Sequence, residues 1–265
     1  MSKHALCIGI NDYPGTQNDL SGCVNDANDW AAALTARGFA VNKLIDAQAG
    51  KAAMVEAMGN LIGSAAKNET VIITYSGHGT WVPDQNGDEP DKRDEGLCPW
   101  DIGQGQVLLD DELHILFANR PSGVRIVLLS DSCHSGSVSR GDTSELDPGL
   151  PRARFLPPEV WMTGVTLPTE MPRNIAGGIA RSGGDLLMAG CLDTQYSWDT
   201  RFNGRPNGAF TFYALKALAS LAANPNASYA EWFKKISPTY LPTNQLPQNP
   251  QLFGSATARK WKVFA

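Results

Sequence analysis

Short apolar runs alternate with stretches of helical periodicity through the first half of the chain. Strands are predicted over residues 4–11, 39–46, 70–75 and 125–130, and helices from near Asn25 and over residues 51–66 and 110–119. The runs TVIITY (70–75) and RIVLLS (125–130) are apolar on both faces, which is typical of strands buried in a parallel sheet. The alternation predicts an α/β fold with a mainly parallel sheet and helices on both of its faces.

The pattern changes in the middle of the chain. Residues 137–184 contain many Pro, Gly and Arg residues and show no sustained period, so we expect a long loop. Loops of that length in a compact domain are usually functional. A strand over 185–191 and an amphipathic helix over 209–223 are expected to follow. We interpret the 265 residues as one domain, whose two parts, 1–136 and 185–265, are joined by the loop.

Composition argues against several classes of function. The chain is 42% hydrophobic and 18% charged, as in ordinary globular proteins. Its net charge of -5 argues against nucleic acid as a general partner, because phosphate binding requires clustered Lys and Arg residues. We expect neither a signal peptide nor a membrane span, since no apolar stretch is long enough. Five cysteines, an odd number, predict free thiols in a reducing compartment, and therefore a cytoplasmic protein.

Two short strings carry the candidate chemistry. YSGHGT at 75–80 places His78 just after one predicted strand, and DSCHSG at 131–136 places Cys133 just after another. If the two strands are neighbours, both side chains project into the crevice at the carboxyl ends of the sheet. An adjacent imidazole promotes attack by a thiol because it takes up the thiol proton. We predict Cys133 as nucleophile, His78 as base, and the N–H groups of Gly79 and Cys133 as oxyanion donors.

Other interpretations of these residues stay open. A buried structural thiol is the alternative for Cys133 and the preferred interpretation for Cys7 and Cys191. His134 is either a group that supports the dyad or an exposed side chain. One rival function is a catalytically silent module that binds or regulates partners. Another is a zinc hydrolase that uses His78, Cys133 and His134, although the close-spaced ligand pairs of zinc motifs are missing.

Asp131 indicates a preference for basic substrates. It precedes Cys133 by two residues, and in an extended segment this spacing puts both side chains on the same side. A carboxylate beside the nucleophile attracts Lys or Arg before the scissile bond and repels Asp. The alternative role for Asp131 is to orient a neighbouring group.

The paired strings YSGHG and DSCHSG resemble the caspase-like cysteine peptidases, specifically the metacaspases and bacterial orthocaspases. Other stretches are similar to that family in the expected order, among them ALCIGINDYP, DLSGCVNDA, RDEGLCPWD and AGCLDTQYSWD. The resemblance implies a caspase-like three-layer α/β sandwich, cleavage of protein or peptide substrates after Arg or Lys, and a monomer. It implies a substrate pocket formed by Asp131 and Asp26, with Cys23 and Ser76 in its wall. The alternative role for Asp26 is to stabilise a helix dipole.

An acidic segment suggests a metal ion. Residues 84–95 (DQNGDEPDKRDE) contain six carboxylates, and a second acidic group follows near residue 110. We reject an EF-hand, because the turn of that loop requires Gly and the segment has other residues there. The resemblance to metacaspases implies Ca²⁺ held by Asp94, Asp110 and Asp111. The alternative is a solvated acidic loop without an ion.

The expected long loop contains basic residues that suit self-processing. Exposed loops are the preferred sites of proteolysis. An enzyme that prefers basic residues is therefore expected to cut itself in this region, and the alternative is a loop that is left uncut. The candidate cleavage residues are Arg140, Arg152, Arg154, Arg173 and Arg181.

Overall fold

The computed structural model describes residues 3–84, 92–133, 150–162, 164 and 185–265. The strands in these ranges are β1 (Lys3–Gly9), β2 (Phe39–Ile45), β3 (Thr70–Ser76), β4 (Gly79–Pro83), β5 (Arg93–Leu97), β6 (Leu108–Leu109), β7 (Arg125–Asp131), β8 (Arg152–Ala153), β9 (Asp185–Ala189), β10 (Trp198–Phe202), β11 (Arg205–Gly208) and β12 (Gln251–Gly254). The α-helices are α1 (Cys23–Thr35), α2 (Lys51–Gly63), α3 (Asp110–Ala118), α4 (Pro158–Trp161), α5 (Ala209–Ser220) and α6 (Tyr229–Ile236). No helix among the described residues is long and apolar enough to cross a membrane.

A six-stranded sheet forms the centre of the protein. Its strand order is β12-β9-β7-β3-β1-β2, and every pair is parallel except β12 with β9. The predicted α/β class with a mainly parallel sheet is therefore confirmed. Strands β3 and β7 are direct neighbours, with Ser76 opposite Asp131 at their carboxyl ends. The two strings that follow these strands therefore leave the sheet side by side.

The sheet has an apolar layer on each face. Strand β1 shows the alternation that produces it, since Leu6 and Ile8 face one layer and Ala5 and Cys7 face the other. Helices α2 and α3 pack in the first layer, and α1, α5 and α6 pack in the second. Cys7 is fully buried in this core, as the structural interpretation of that thiol requires.

Two small antiparallel sheets lie outside the strands that the sequence pattern predicted. One has the order β4-β5-β6 and the other has the order β11-β10-β8. The acidic segment 84–95 is thus not wholly a loop, because its end enters β5 and Asp94 is buried there. Strand β5 reads RDEGL, and a short strand of this composition shows no apolar alternation that could reveal it.

The predicted loop over residues 137–184 is also wrong in its described part. Residues 150–162 contain β8 and the short helix α4, and the side chains of Leu156 and Trp161 join the core beside α2 and α3. The expectations for His134, Arg140, Arg173 and Arg181 lie outside the described residues. Arg152 and Arg154 lie inside them.

Gly9 at the end of β1 lets α1 approach the sheet closely. A Cβ atom at this position would meet the carbonyl oxygen of Cys23 and lie 2.8 Å from the Cβ of Ala27. We expect Gly9→Ala to lower the free energy of unfolding by about 1–3 kcal/mol, as overpacking of a core does. Urea denaturation measures this change. Gly63→Ala is the control, because no atom of a described residue lies within 4 Å of that Cβ position, and equal midpoints for the two variants would contradict the expectation.

Candidate active site

His78, Gly79 and Cys133 meet at the carboxyl ends of β3 and β7. The N–H of Gly79 and the N–H of Cys133 both donate to the carbonyl oxygen of Arg154, at 3.0 and 3.1 Å. Two amides aimed at one carbonyl oxygen are the arrangement that stabilises an oxyanion. The structure therefore brings the sequence-predicted catalytic residues to one place, around a carbonyl group of the chain itself.

Three residues hold His78 in a fixed position. Its Nε2 atom lies 2.6 Å from the carbonyl oxygen of Asn18, while its buried Nδ1 atom has no hydrogen-bond partner among the described residues. The backbone N–H of His78 donates to the hydroxyl of Tyr13, and the hydroxyl of Tyr75 donates to the carbonyl of His78, at 2.7 and 2.6 Å. The Tyr13 ring also packs against the imidazole, with centroids 4.8 Å apart. A carbonyl at Nε2 requires the proton there, which leaves Nδ1 free to accept one.

The environment of His78 favours the neutral imidazole. Burial lowers the pKa of His78 to about 4, and the nearby positive charge of Arg154 acts in the same direction. The backbone hydrogen bond at Asn18 opposes this shift. The ring is therefore neutral near pH 7, which is the state that can take a proton from a thiol.

Cys133 is fully buried and held by Ser197. The N–H of Ser197 donates to Sγ of Cys133 at 2.6 Å, and the thiol lies 3.5 Å from the carbonyl oxygen of Ser197. Phe155 and Cys191 pack against Cys133 in a small apolar cluster. Backbone groups of Ser197 thus position the candidate nucleophile, and Phe155, the residue after Arg154, packs against it.

Three carboxylates surround the guanidinium of Arg154. Its nitrogen atoms lie 2.6 Å from Asp26, 3.2 Å from Asp131 and 3.1 Å from Asp199, and all four side chains are buried. Asp26 and Asp131 were predicted as pocket residues. Asp199 was missed, although it belongs to the AGCLDTQYSWD stretch that resembles the family.

The pocket has an excess of negative charge, since one guanidinium faces three carboxylates. Burial raises the pKa of Asp26 to about 6, with Asp131 adding to the shift and Arg154 opposing it. Burial alone would lower the pKa of Arg154, but Asp131, Asp26 and Asp199 raise it well above the ordinary value. A cation at this position is therefore strongly favoured, and the pocket is unfavourable without one.

Cys23 and Ser76, the predicted wall residues, are both buried beside this group. Burial raises the pKa of the Cys23 thiol well above its usual value, and the charges of Arg154 and the pocket carboxylates also act on it. Within the described part of the chain the hydroxyl of Ser76 has no hydrogen-bond partner, and the backbone of Ser76 pairs with that of Asp131.

The segment around Arg154 crosses the site as an extended strand. The N–H of Arg154 donates to the carbonyl of Ser197 at 2.9 Å, and β8 pairs antiparallel with β10. On the other side, the N–H of Leu156 donates to the carbonyl of Gly79 at 2.9 Å. The arginine side chain enters the acidic pocket and its carbonyl faces the two amides. This is how a substrate peptide would be bound.

This arrangement corrects the expectation that Arg154 is accessible. Its side chain is fully buried, because it pairs with three buried carboxylates. These carboxylates come from distant elements that the sequence pattern could not connect to Arg154. Arg152 does reach the surface, where its guanidinium donates to the carbonyl of Asp19 at 2.8 Å. Of the two described arginines in this region, the buried one occupies the site.

The three predicted calcium ligands lie in two different elements. Asp94 is buried in β5, while Asp110 and Asp111 begin α3, where negative charge stabilises the helix dipole. Within the described part of the chain, no three His, Cys, Asp or Glu residues are grouped to hold a metal ion. Residues 85–91 of the acidic segment lie outside that part. Calcium binding therefore stays a prediction, and the zinc site of the rival interpretation includes His134, which also lies outside the described residues.

Comparison with known proteins identifies relatives across most of the chain. A family model described as "Metacaspase, peptidase C14 domain" matches residues 3–140. Metacaspase-1 of Cryptococcus neoformans is 30% identical over 96% of this chain and 62% of its own length. Metacaspase-1 of Schizosaccharomyces pombe is 31% identical over 94% of this chain and 66% of its own length. The chain thus spans slightly less than two thirds of these relatives.

Solved structures agree with this assignment of the fold. A crystal structure of a Geobacter sulfurreducens protein superimposes with a TM-score of 0.76 at 29% identity, and covers 100% of this chain and 99% of that one. Caspase-1 from Spodoptera frugiperda superimposes with a TM-score of 0.59 at 13% identity, over 96% of this chain and 86% of that one. At that identity the caspase shows the shared fold alone.

Removing the guanidinium should make stability depend more strongly on pH. In a Cys133→Ala background, we expect Arg154→Met to cost about 3–5 kcal/mol at pH 7.5, because three buried carboxylates lose their cation. Asp26 already has a raised pKa of about 6, against an ordinary value of 3.8. Without the guanidinium this pKa rises further, so near pH 7 the folded variant binds more protons than the folded wild type does. The loss should therefore shrink as the pH falls from 7.5 towards 6.

Urea denaturation across this pH range measures the effect. Arg205→Met is the control, since Arg205 pairs with Asp29 at the exposed surface and should change stability by less than about 1 kcal/mol. A loss for Arg154→Met that is independent of pH would contradict the electrostatic explanation.

Proposed function

The chain belongs to the metacaspase family of peptidases, and from this membership and its site we propose that it is a cysteine endopeptidase that cleaves after Arg or Lys. One observation carries the proposal. Arg154 lies in the site with its side chain among three carboxylates and its carbonyl oxygen between the N–H groups of Gly79 and Cys133. A substrate residue before a scissile bond requires these same contacts.

The reaction follows from the positions of the groups. Nδ1 of His78 takes the proton of the Cys133 thiol, and the thiolate attacks the carbonyl carbon of the substrate. The N–H groups of Gly79 and Cys133 stabilise the oxyanion of the tetrahedral intermediate. His78 then protonates the leaving amine, and the acyl group stays on sulfur as a thioester. Water, deprotonated by the neutral imidazole, hydrolyses the thioester and restores the thiol.

The specificity follows from the charge of the pocket. Asp26, Asp131 and Asp199 are buried, so a bound cation replaces water that would otherwise solvate them. A guanidinium can bond to several carboxylates at once because its donors lie in a planar fork, whereas an ammonium acts as a point charge. We therefore propose Arg as the best substrate residue, Lys as the second, and exclusion of Asp by repulsion.

Peptides that end in Arg, Lys or Asp before a fluorogenic group test this proposal. We expect turnover of the Arg and Lys peptides and none of the Asp peptide. Asp131→Asn should lower kcat/KM for the Arg peptide by about 30-fold or more, since removing one partner of a buried charge pair costs about 2–5 kcal/mol. Cys133→Ala should abolish turnover.

Glu56→Gln is the matched control, because this carboxylate lies exposed on α2 and should not affect cleavage. If the wild-type protein leaves all three peptides uncut, the peptidase proposal is refuted and the catalytically silent binding module is supported.

We further propose that the protein cuts its own Arg154–Phe155 bond. Among the described residues this is the peptide bond that lies at the two amides and next to Cys133. Arg152, two residues earlier, is half-buried, and its guanidinium bonds to the carbonyl of Asp19 and not in the acidic pocket. We therefore propose this bond as the cleavage site of the self-processing that the sequence predicts.

Electrophoresis of purified protein with and without Ca²⁺ tests the position of the cut. We expect the wild type to give two fragments, the second beginning at Phe155, and Cys133→Ala to stay intact. Arg154→Gln should prevent the cut because an uncharged amide cannot balance the carboxylates, while Arg152→Gln should still be cut. Equal processing of the two Arg variants would contradict this position.

Calcium stimulation stays a prediction, carried by the family resemblance and by the carboxylates near Asp94 and Asp110. The assays above therefore include Ca²⁺ and a chelator as separate arms, and equal rates in both arms would refute stimulation. We also propose a monomer in the reducing cytoplasm. The five free cysteines, among them the candidate nucleophile, support a reducing compartment.

A further inference from the structure

We propose that the site also joins the bond that it cuts, so that cleavage between Arg154 and Phe155 is a reversible ligation. This inference rests on the proposed peptidase function. It arises from the contacts on both sides of the scissile bond, which hold each end of the chain independently of that bond.

The segment after the bond is anchored to the protein core. Leu156 is fully buried, and its N–H donates to the carbonyl of Gly79 at 2.9 Å. Trp161 is also buried, and its indole N–H donates to the hydroxyl of Thr80 at 3.0 Å. None of these contacts involves Arg154. After cleavage, the new amino group of Phe155 would therefore remain beside the site.

The segment before the bond is also held by contacts that do not depend on that bond. The guanidinium of Arg154 keeps its three carboxylates, and the N–H of Arg154 keeps the carbonyl of Ser197. Strand β8 stays paired with β10 through Ala153 and Arg152. Breaking the peptide bond removes none of these interactions. The acyl group on Cys133 and the amine of Phe155 thus stay next to each other.

The ligation step is the reverse of the cleavage step and needs no further reactant. The nitrogen lone pair of the Phe155 amine attacks the thioester carbonyl of Arg154, the C–S bond breaks, and an amide C–N bond forms. His78 takes the proton from the amine and passes it to the sulfur of Cys133. Starting from the cut chain, thioester formation from the Arg154 carboxylate first releases one water molecule.

Two physical factors favour the amine over water. The amine is held in the same molecule as the thioester, and well-oriented intramolecular groups react as if at concentrations far above those in solution. Phe155 also packs over Cys133 in an apolar cluster, which limits access of water to the sulfur. Net processing therefore requires one of the two held segments to leave the site.

Isolated cut protein in H₂¹⁸O provides the test. We expect the intact chain to reappear, and the ratio of intact to cut chain to reach the same value from either starting form. Mass spectrometry should show ¹⁸O entering the Arg154 carboxylate of the cut chain and, after repeated turnover, the Arg154 carbonyl of the intact chain. Alkylation of Cys133 should stop both changes.

Variants of α4 test whether the anchored segment after the bond favours ligation. Trp161→Ala loosens the anchored segment and should lower the ratio of intact to cut chain by at least about tenfold, because a buried Trp makes large packing contributions. Val160→Ala is the control, since its side chain on the same helix is exposed and should leave the ratio unchanged. Equal ratios in the two variants would overturn the role of the anchored segment.

The outcomes distinguish this inference from the function on which it rests. Cut protein that still hydrolyses an Arg peptide, but gives neither intact chain nor ¹⁸O exchange, would overturn ligation and leave the peptidase in place. A wild-type chain that cuts neither itself nor the Arg peptide would overturn both.

Discussion

The catalytic end of the protein depends on one buried cation surrounded by three carboxylates. Asp26 comes from α1, Asp131 from β7 and Asp199 from β10, and the guanidinium of Arg154 joins all three. Carboxylates removed from water are costly unless a positive charge compensates them. The cation therefore stabilises the meeting of elements that are distant in sequence. The same requirement that stabilises the folded chain is the physical basis of the proposed preference for basic residues.

The large elements could be predicted from the sequence because their apolar patterns are strong. Strands β3 and β7 are fully or nearly fully buried, so their runs stand out from the flanking polar residues. Once both are placed in a parallel sheet, the rule that functional groups lie at carboxyl strand ends brings His78 and Cys133 together. The position of each residue directly after a buried strand was therefore enough to predict that the two lie at the same end of the sheet.

The rest of the site could not be predicted, because its elements are short and polar. Strand β8 has two residues, and β10 begins with Trp198 and Asp199 and carries no apolar alternation. Arg154 looked like one basic residue among several in a loop, since the sequence does not show which distant carboxylates will surround a side chain. Asn18 and Ser197 act through their backbone groups, which no residue type reveals.

Two tyrosine hydroxyls bond to the backbone of His78. Tyr13 accepts from its N–H, and Tyr75 donates to its carbonyl and also to the carbonyl of Cys98. These bonds fix the backbone of His78, and its ring is held by the carbonyl of Asn18 and by the ring of Tyr13. Any change that uncovers the sulfur must then come from the chain lying over it. The imidazole therefore keeps its position while different peptides bind next to it.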